Sequence, residues 1–395
     1  MLEEIYRETL ERCSPERLIR VPDAAPANVV AIGKCAAGLF RGIATYRDAL
    51  VIVPAGYPRV SNVECLEGGH PDLTAASFAA GRRLLEFVDE HEDILFLISG
   101  GGSACVEWPL EGFTQQELIA ANHKLVASGL AIREINTVRK QLSAIKGGKL
   151  AQRVRGRAVT MVYSDVSTGR LADVASGPTL ANDTTLEEAI AILEEIDDEV
   201  LAGRLRAGYV DTRTRGLAVP PRQIRVSAKP RNLHTSHLIA DNTTLVQTAA
   251  EIAKTRGLTP KTINVQIESD VDEAAAQLAV AARDLEPGEI LIAGGEPTVA
   301  VRGSGQGGRC FELAARFALR NVPHVSALFA SSDGVDGNSG AAGAVLPPNP
   351  AVARDRIVTE LRQSNSLKAI EMLGRAIMIP PTGNNLRDLF LLARA

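Results

Sequence analysis

Short apolar runs alternate with amphipathic stretches along the first half of the chain. Four runs have the length of buried strands: 28–32, 49–53, 94–98 and 158–163. Residues from 34 onward and residues 75–89 show the apolar spacing of helices. Strands that are apolar on both faces and separated by helices indicate a parallel sheet covered by helices on both sides. We therefore predict an α/β fold.

The second half repeats this pattern. Five further apolar runs are candidate strands: 237–240, 264–267, 290–293, 325–330 and 376–379. Residues 212–232 are rich in Pro and Arg and show no periodicity, which is typical of a junction between domains. We therefore expect two α/β domains with the junction in this segment.

Composition narrows the class of protein. Of the 395 residues, 45% are hydrophobic and 23% are charged, as in ordinary globular domains. A net charge of −4 argues against a nucleic-acid partner, and no apolar run approaches the roughly 20 residues of a membrane span. The charged N-terminus has no apolar signal core, and the five cysteines form no CxxC motif. We therefore expect a cytoplasmic protein without a disulfide scaffold or a zinc ribbon.

Glycine-rich segments follow four predicted strands. They are Gly33-Lys34, Ser99-Gly100-Gly101-Gly102-Ser103, Gly294-Gly295-Glu296, and, after the predicted strand TVAVR at 298–302, Gly303-Ser304-Gly305-Gln306-Gly307-Gly308-Arg309. Open α/β sheets bind ligands beyond the carboxyl ends of their strands, where glycines let backbone N–H groups approach an anion. One such turn is often structural. Four turns, two of which carry a cation, predict a site for phosphate or carboxylate groups.

The glycine spacing leaves a dehydrogenase open. No GxxxxGK[ST] sequence occurs, so the chain has no Walker A loop. Gly303, Gly305 and Gly308 fit the GxGxxG spacing of a dinucleotide site, and Asp333 follows roughly where a ribose-binding acid would lie. A nicotinamide-dependent dehydrogenase of a small hydroxy acid is therefore an alternative.

Basic side chains near these turns supply candidate chemistry. Lys34 could neutralise a phosphate or a carboxylate, and the planar fork of Arg309 suits a bidentate grip on either group. The alternatives are a solvated lysine and a salt bridge at the sheet edge. Asn136, Arg139 and Lys146 are spaced to share one helix face, which would otherwise be a solvated basic helix.

Carboxylates supply a second set of candidates. Asp165 ends a predicted strand and could accept a hydroxyl proton or hold Mg²⁺, unless it only caps the next turn. Asp333 and Asp336 lie three residues apart in a turn, where their oxygens could bind magnesium. Glu296 follows a glycine pair, and His70 could be either a ligand contact or a structural residue.

Taken in order, these segments resemble the glycerate 2-kinase family with a C-terminal MOFRL domain. The resemblance runs through AIGKCAAGLF, GGHPD, ISGGGSA, SGLAIREINTVRKQLSAIKGGKLA, YSDV, ASGPT, GGEPTVAVRGSGQGGR, SDGVDGNSGAAGA and PTGNNLRDL. It implies a Rossmann-like N-terminal domain over residues 1–220 and a smaller, MOFRL-like α/β domain over residues 233–395. It also implies ATP-dependent phosphorylation of D-glycerate at its 2-hydroxyl, giving 2-phosphoglycerate, with a divalent cation. Lys34 and Arg309 match the lysine and the arginine that are implicated in catalysis in that family.

One block departs from the family pattern. Where the family usually has SDVPGDDP, this chain has SDVSTGRLAD, so two acids after Asp165 are missing while Thr168 and Arg170 stand nearby. The change leaves open the metal ligands and the substrate, which could be a longer or more anionic acid. A non-catalytic, metabolite-binding relative is a further alternative, and a homodimer is also left open.

Phosphoryl transfer depends on positioning and charge neutralisation more than on covalent chemistry. We therefore expect Asp165 to orient or deprotonate the acceptor hydroxyl, while Lys34 and Arg309 stabilise the phosphoryl charge. The expected residues for the substrate and its phosphates are Ser99, Gly100, Gly101, Gly102, Ser103, Asn136, Arg139 and Lys146. The expected nucleotide-binding residues are Gly294, Gly295, Glu296, Gly305, Gly307, Gly308 and Asp333. The expected Mg²⁺ ligands are Asp333 and Asp336.

Overall fold

The computed structural model describes residues 1–214 and 234–394, which pack as two compact units. The N-terminal unit contains Ile19–Ser164 and Arg170–Ile239, and the C-terminal unit contains Met1–Leu18, Asp165–Gly169 and Ala240–Ala395. The units differ from the expected ranges because helices α1 (Leu2–Arg12) and α2 (Pro15–Leu18) belong to the C-terminal unit. The expected junction at 212–232 lies outside the described residues from position 215 onward.

The N-terminal unit is built on the first of two sheets. Its strands are β1 (Asn28–Ile32), β2 (Asp48–Pro54), β3 (Glu64–Gly68), β4 (Ile94–Ser99), β5 (Ala158–Tyr163) and β6 (His234–Ala240). Its helices are α3 (Ala36–Arg41), α4 (Ala75–Glu90), α5 (Gly102–Cys105), α6 (Gln115–Ala127), α7 (Ile132–Leu142), α8 (Lys149–Arg153), α9 (Leu186–Glu195) and α10 (Glu199–Thr214). A 3₁₀ segment, Leu171–Ser176, precedes α9.

The order of this sheet is β3-β2-β1-β4-β5-β6, which is the strand order of Rossmann folds. The pairs from β3 to β5 are parallel, and every residue of β1, β4 and β5 is buried. The predicted Rossmann-like parallel sheet is therefore confirmed. Its strand order reverses between β1 and β4, because β1 continues to β2 on one side and the chain later returns to add β4 on the other.

The C-terminal unit carries the second sheet. Its strands are β7 (Thr259–Thr262), β8 (Glu289–Gly295), β9 (Val325–Ser331), β10 (Gly343–Leu346), β11 (Arg375–Ala376) and β12 (Asp388–Arg394). Its further helices are α11 (Asn242–Thr255), α12 (Val271–Arg283), α13 (Arg309–Leu319), α14 (Arg354–Arg362) and α15 (Ser366–Glu371). In the described parts of the chain, no helix is both long and apolar enough to cross a bilayer.

The second sheet is mixed and corrects two sequence predictions. Its order is β11-β10-β9-β12-β8-β7, and apart from the parallel β7–β8 pair its neighbours are antiparallel. The strands predicted at 264–267 and 376–379 are wrong, because the chain pairs at Thr259–Thr262 and Arg375–Ala376 instead. The central strand β12 was not predicted, although its first six residues are buried.

Helix α1 lies in the C-terminal unit because its apolar face is buried there. Ile5 and Tyr6 are fully buried, and the Tyr6 hydroxyl donates a hydrogen bond to the main-chain oxygen of Ser331 at 2.5 Å. On the polar face, Arg256, which follows α11, pairs with Glu4 and Glu8. The periodicity of the sequence shows an amphipathic helix but does not identify the surface that covers it.

Candidate active site

Two of the predicted glycine turns meet where the order of the N-terminal sheet reverses. β1 ends at Ile32 and its parallel neighbour β4 ends at Ser99. The main-chain N–H of Lys34 donates to the oxygen of Gly100 at 2.8 Å. Gly33 has a φ of +113°, and a Cβ there would lie 2.5 Å from the main-chain oxygen of Ser99, so the approach requires glycine. Such a switch point is where open α/β sheets bind ligands.

The side chain of Lys34 lies against the second turn. It is half-buried, and a Cβ added at Gly101 would come within 2.8 Å of its Cγ. Among the described residues, no carboxylate forms an ion pair with its ammonium. The ring of His70 faces the same glycine, and its pKa is lowered to about 4 by burial and by the charge of Lys34, against the opposing charge of Asp72. The turn therefore places the Lys34 side chain beside an imidazole whose pKa is lowered from its ordinary value.

Two predicted substrate residues are joined through a third residue that was not predicted. Ser103 Oγ lies 2.6 Å from Ser176 Oγ, and the Ser176 hydroxyl donates to Asn136 Oδ1 at 2.8 Å. Ala175, Ser176 and Gly177 all have left-handed backbones, with φ values of 52°, 59° and 59°. Two successive side-chain-bearing residues in this region store strain, which often accompanies a functional site. The ASGPT block was the sequence signal for this turn.

Arg139 lies on the same helix as Asn136, as predicted from their spacing. Its Nε and Nη2 donate to Asn122 Oδ1 at 2.9 and 2.5 Å. Burial lowers the pKa of the guanidinium, and the carboxylate of Glu107 partly offsets this effect. Among the described residues, Arg139 forms no ion pair with a carboxylate, and the acceptor of its two hydrogen bonds is a neutral amide.

The prediction that Lys146 shares this helix face is wrong, because α7 ends at Leu142. Lys146 is only 1% exposed, and its ammonium contacts the carboxylate of Glu107 and the main-chain oxygen of Val106. Burial lowers the pKa of Lys146, whereas Glu107 opposes the shift. A buried charge with a hydrogen-bonded partner is mainly an organising feature of the interior. Lys146 is therefore held in an internal ion pair with Glu107 and is not accessible to a substrate.

In the C-terminal unit, Arg309 is the first residue of α13 and lies in a charge network. Its Nε and Nη2 bind the two carboxylate oxygens of Asp388 at 2.6 and 2.9 Å, and Nη1 lies 3.1 Å from Glu296. Burial opposes the charge of Arg309, but Asp388 and Glu296 outweigh it and raise the pKa of the guanidinium. Arg309 therefore forms salt bridges, as the alternative interpretation of the sequence expected. Its main partner, Asp388, was not predicted.

The expected turn at Gly294 and Gly295 is part of a strand, so that prediction is wrong. Both residues lie in β8 and pair with β12. A Cβ at Gly294 would lie 2.1 Å from Asn242 Oδ1, which explains the need for glycine. Glu296 follows the strand, and its pKa is raised by burial, with Arg309 acting in the opposite direction.

The GSGQGGR loop precedes α13 but does not follow a strand. Residues 298–302 form no strand, which removes the strand that a dinucleotide fingerprint requires before its glycines. A Cβ at Gly305 would lie 2.6 Å from Asn365 Cα, and one at Gly307 would lie 1.9 Å from Ser366 Oγ. These glycines therefore allow the loop to pack closely on the residues that begin α15.

The carboxylate of Asp336 occupies the N-terminus of α13. Its Oδ2 accepts a hydrogen bond from the N–H of Phe311 at 2.9 Å, and the side chain is 1% exposed. A Cβ at Gly308 would lie 2.3 Å from Asp336 Cγ. The pKa of Asp336 is raised to about 7, mainly by burial and then by Asp388. The helix end that would attract a phosphate is thus filled by a side chain of the protein.

The pair Asp333 and Asp336 does not fit a magnesium site. Asp336 is buried, whereas Asp333 uses Oδ1 to accept hydrogen bonds from Ser331 Oγ at 2.8 Å and from the N–H of Val335 at 2.9 Å. Within residues 1–214 and 234–394, no group of three or more His, Cys, Asp or Glu side chains could hold a metal ion. Asp333 is half-buried and is the member of the pair that a nucleotide-bound cation could reach.

The predicted base Asp165 is held by two residues that precede β12. Asn385 Nδ2 donates to Asp165 Oδ2 at 3.0 Å, and Arg387 Nε donates to the main-chain oxygen of Asp165 at 3.0 Å. In the altered block that follows, Thr168 Oγ1 accepts a hydrogen bond from Gln266 Nε2 at 3.0 Å. Asn385 and Arg387 were not predicted, and the PTGNNLRDL block is the one sequence signal that could have indicated them.

Arg170, which stands where the family usually has acids, is paired within the N-terminal unit. Its Nε and Nη2 lie 2.8 and 2.6 Å from Asp173 Oδ2. Its charge is therefore matched by a neighbour three residues away. This pairing weakens the interpretation that the arginine is there to bind a more anionic substrate.

Family comparisons match both units. The family described as "Domain of unknown function (DUF4147)" matches residues 1–207, and the MOFRL family matches residues 289–388. Together with the fold and the glycine turns, these matches define a two-unit α/β protein of the DUF4147–MOFRL type. D-glycerate 2-kinase of Thermotoga maritima is 32% identical over 98% of this chain and 96% of its own length. The chain belongs to the glycerate 2-kinase family.

A solved structure agrees with this assignment. The crystal structure of glycerate kinase from Thermotoga maritima matches with a TM-score of 0.84 and 30% identity, covering 99% of this chain and 98% of that chain. A further relative, from Agrobacterium vitis, is named putative hydroxypyruvate reductase and is 32% identical over 85% of this chain and 77% of its own length. Relatives of similar identity therefore carry names from two enzyme classes.

Proposed function

We propose that this protein transfers the terminal phosphoryl group of ATP to the 2-hydroxyl of D-glycerate, or of a closely related small hydroxy acid, giving 2-phosphoglycerate. The observation that carries the proposal is the pair of glycine turns at the switch point, where the ammonium of Lys34 has no carboxylate partner among the described residues. An anionic group fits such a position because it would supply the missing charge. The name of the Thermotoga maritima relative supports the reaction.

The N-terminal unit is proposed to hold anionic groups of the reactants. The backbone of residues 99–103 approaches closely without side chains, and Lys34 neutralises the charge that accumulates there. Ser103 and Asn136 supply polar contacts through Ser176, and Arg139 is the proposed partner of the substrate carboxylate. A guanidinium that is hydrogen-bonded to an amide, with no carboxylate in direct contact, remains able to form an ion pair with an anionic ligand.

The C-terminal unit is proposed to supply the acceptor-activating acid and a second cation. Asp165 orients the acceptor hydroxyl or takes its proton, and Arg309 offsets phosphoryl charge. Glu296 and Asp388 keep the guanidinium of Arg309 ionised and fixed in orientation. The side chains of Arg309 and Asp165 are therefore held in place by contacts within this unit before any reactant binds.

ATP and Mg²⁺ remain proposals for the cofactors. The remaining nucleotide candidates are the close-packed loop at Gly305, Gly307 and Gly308, together with Glu296 and Asp333. When bound, Mg²⁺ would neutralise phosphate charge, and it commonly takes only one or two protein carboxylates while its other ligands are phosphates and waters. The buried carboxylate of Asp336 is not proposed as a ligand.

The test is phosphorylation of a panel of small hydroxy acids with ATP and MgCl₂. We expect ADP release with D-glycerate, and phosphorus NMR of the product should show a secondary phosphate ester at the 2-position. Omission of the metal by EDTA and replacement of ATP by other nucleoside triphosphates test the two cofactor proposals separately. If no C3–C5 hydroxy acid gains a phosphate, the kinase proposal is wrong.

A nicotinamide-dependent dehydrogenase is the second candidate, because the Agrobacterium vitis relative is named putative hydroxypyruvate reductase. The structure argues against it, since residues 298–302 form no strand before the glycine loop and Asp336 fills the helix end that would bind a pyrophosphate. Oxidation of NADH or NADPH by hydroxypyruvate, followed at the absorbance of the reduced cofactor, distinguishes the two. We expect no oxidation above the rate without enzyme.

The location and the assembly state are also proposals. None of the five cysteines forms a disulfide, which is typical of a reducing compartment and supports the cytoplasm. A homodimer is proposed from the sequence alone. Light scattering coupled to size-exclusion chromatography would give the mass of the particle directly.

A further inference from the structure

Consecutive residues at the start of β12 contact both of the groups proposed for catalysis in the C-terminal unit. Asp388 is fully buried and binds Arg309 through two hydrogen bonds of 2.6 and 2.9 Å. Arg387, immediately before it, donates to the main-chain oxygen of Asp165 at 3.0 Å. One short piece of chain therefore touches an acid and a cation that are far apart in sequence.

The backbone at this point is unusual and well supported. Arg387 has a φ of 66°, a left-handed conformation that side-chain-bearing residues seldom adopt. Asn242 Nδ2 donates to the main-chain oxygens on either side, those of Leu386 at 2.7 Å and Asp388 at 3.0 Å. The N–H of Ser332 donates to the main-chain oxygen of Arg387 at 2.8 Å. A strained backbone that is held by three specific hydrogen bonds is more typical of a functional site than of an ordinary loop.

The left-handed backbone at Arg387 lets the successive side chains of Arg387 and Asp388 join one network of charged groups. In a regular strand, neighbouring side chains point to opposite faces of the sheet. Here Arg387 Nε lies 3.3 Å from Glu296 Oε2, and Arg309 Nη1 lies 3.1 Å from Glu296 Oε1. Glu296 thus bridges the guanidinium groups of Arg387 and Arg309. Asp388, the neighbour of Arg387, binds Arg309 in turn.

Further contacts fix the head group of Arg387. The side chain is 11% exposed, and its Nη1 donates to Gln266 Oε1 at 2.6 Å and also contacts the carboxylate of Glu268. Two residues earlier, Asn385 donates to the carboxylate of Asp165 at 3.0 Å. The carboxylate and the main chain of Asp165 are therefore held by the same segment.

We infer that residues 385–388 form a positioning element that sets the orientation of Asp165 and of Arg309 for phosphoryl transfer. The inference rests on the proposed function, but it assigns a task to Asn385, Arg387 and Asp388 that the proposed function does not require. Arg387 and Asn385 act through Asp165, and Asp388 acts through Arg309. A displacement of about 1 Å at a reacting group can lower the rate roughly a hundredfold, so loss of this positioning element should lower kcat.

The experiment compares Arg387→Gln with Arg375→Gln. Arg375 is an arginine of the same unit that is ion-paired with Glu3 and touches neither proposed group, so it controls for the loss of one charge. For Arg387→Gln we expect kcat to fall by about tenfold or more, while KM for the hydroxy acid and for ATP stays within about twofold of wild type. Arg375→Gln should leave both constants near wild type. A fall in kcat alone indicates misplacement of reacting groups. Because loss of folded protein would also lower kcat without changing KM, kcat is expressed per folded molecule, which thermal unfolding of the same preparation measures.

Asn385→Ala is the second variant, because it removes one hydrogen bond to Asp165 and leaves the ion pairs intact. It should lower kcat in the same way by a smaller factor, with an unchanged thermal unfolding midpoint. If wild type transfers phosphate but both variants keep its kcat, or change only KM, the positioning inference is overturned and the proposed function stands. If wild type phosphorylates no hydroxy acid, the proposed function fails and the inference fails with it.

Discussion

The charge of Lys34 can be compared with that of two other lysines in the same unit. Lys140 and Lys146 are fully buried and lie near carboxylates, whereas Lys34 is half-buried and has no such partner among the described residues. Lys34→Met should therefore remove charge stabilisation without breaking a buried ion pair. We expect kcat to fall by about a hundredfold to a thousandfold, with little change in the free energy of unfolding. Steady-state assays with D-glycerate and ATP measure the first quantity, and urea unfolding measures the second.

Lys254→Met is the matched control, since Lys254 is an exposed lysine of α11. It should keep the activity of wild type. Equal losses of activity in the two variants would show that the effect comes from the change in net charge or from differences between protein preparations, and not from the switch point. A Lys34→Met enzyme with wild-type kcat would remove Lys34 from the proposed mechanism.

Asp336 predicts a pH dependence of stability. Its pKa is raised from 3.8 to about 7, first by burial and second by Asp388, while Phe311 and Arg309 oppose the shift. The folded state therefore holds this proton more tightly than the unfolded state does. The stability that the group contributes is fully present below about pH 4 and is lost as pH rises through 7.

The measurement is the difference in free energy of unfolding between wild type and Asp336→Asn from pH 4 to pH 8. The amide can still accept the hydrogen bond of Phe311 but cannot ionise, so wild type should lose stability relative to the variant as pH rises. Asp355→Asn changes an exposed carboxyl group and controls for a general charge effect. A difference that stays constant with pH, or that favours wild type at high pH, contradicts the assignment.

At the scale of elements, the sequence was most informative where structure is local. β1 and β5 have the predicted bounds because continuous runs of buried apolar residues need no information about their partners. The first two glycine turns were also predictable, since a glycine after a strand reports a close approach of backbone. The third glycine segment has a different cause, because Gly294 lies within a strand and leaves space for the side chain of Asn242.

Pairing across the chain was not predictable in the same way. β12 lies between β8 and β9, and its antiparallel register depends on strands that occur far earlier in the sequence. The contacts of charged residues have the same origin: Lys146 finds Glu107, and Arg309 finds Asp388, across wide sequence separations. Periodicity and spacing therefore located the candidate groups, but only the fold shows which of them are paired within the protein.

The second glycine turn gives a prediction at this scale. Gly101→Ala places a methyl group 2.8 Å from Lys34 Cγ in a backbone with a φ of 80°. Gly129, with a φ of 77°, would meet no atom within 4 Å and lies in the same unit. Both substitutions should cost roughly 1 kcal/mol in backbone strain, because each forces alanine into the left-handed region.

Only Gly101→Ala should also displace Lys34. We therefore expect a loss of kcat/KM of about tenfold or more for Gly101→Ala and a near wild-type value for Gly129→Ala, at similar unfolding midpoints. Paired kinetics and urea unfolding of the two variants decide the matter. Similar activity in both would mean that the methyl group is accommodated and that the turn tolerates movement of the lysine.

At the scale of the whole molecule, chain order and structural unit do not coincide. The first eighteen residues and the segment Asp165–Gly169 belong to the C-terminal unit, although both precede the expected junction. As a result, a unit that matches the MOFRL family over residues 289–388 is completed by residues from the start of the chain. Division of the chain at a single point would therefore separate the C-terminal unit from part of its own core.

Tyr6 tests this dependence. Its ring is fully buried and its hydroxyl donates to the main-chain oxygen of Ser331, so Tyr6→Ala should destabilise the C-terminal unit by about 3–5 kcal/mol through loss of packing and of a buried hydrogen bond. Trp108 is the single tryptophan and lies in the N-terminal unit, so its fluorescence follows that unit, whereas far-ultraviolet circular dichroism follows both. In urea, Tyr6→Ala should shift the circular dichroism transition to lower concentration, while Glu16→Ala, an exposed change in α2, should not. If the fluorescence transition shifts as well, and the circular dichroism change shifts only by the part that fluorescence also follows, the first helix stabilises the N-terminal unit instead, because the C-terminal unit has then kept its stability without the Tyr6 side chain.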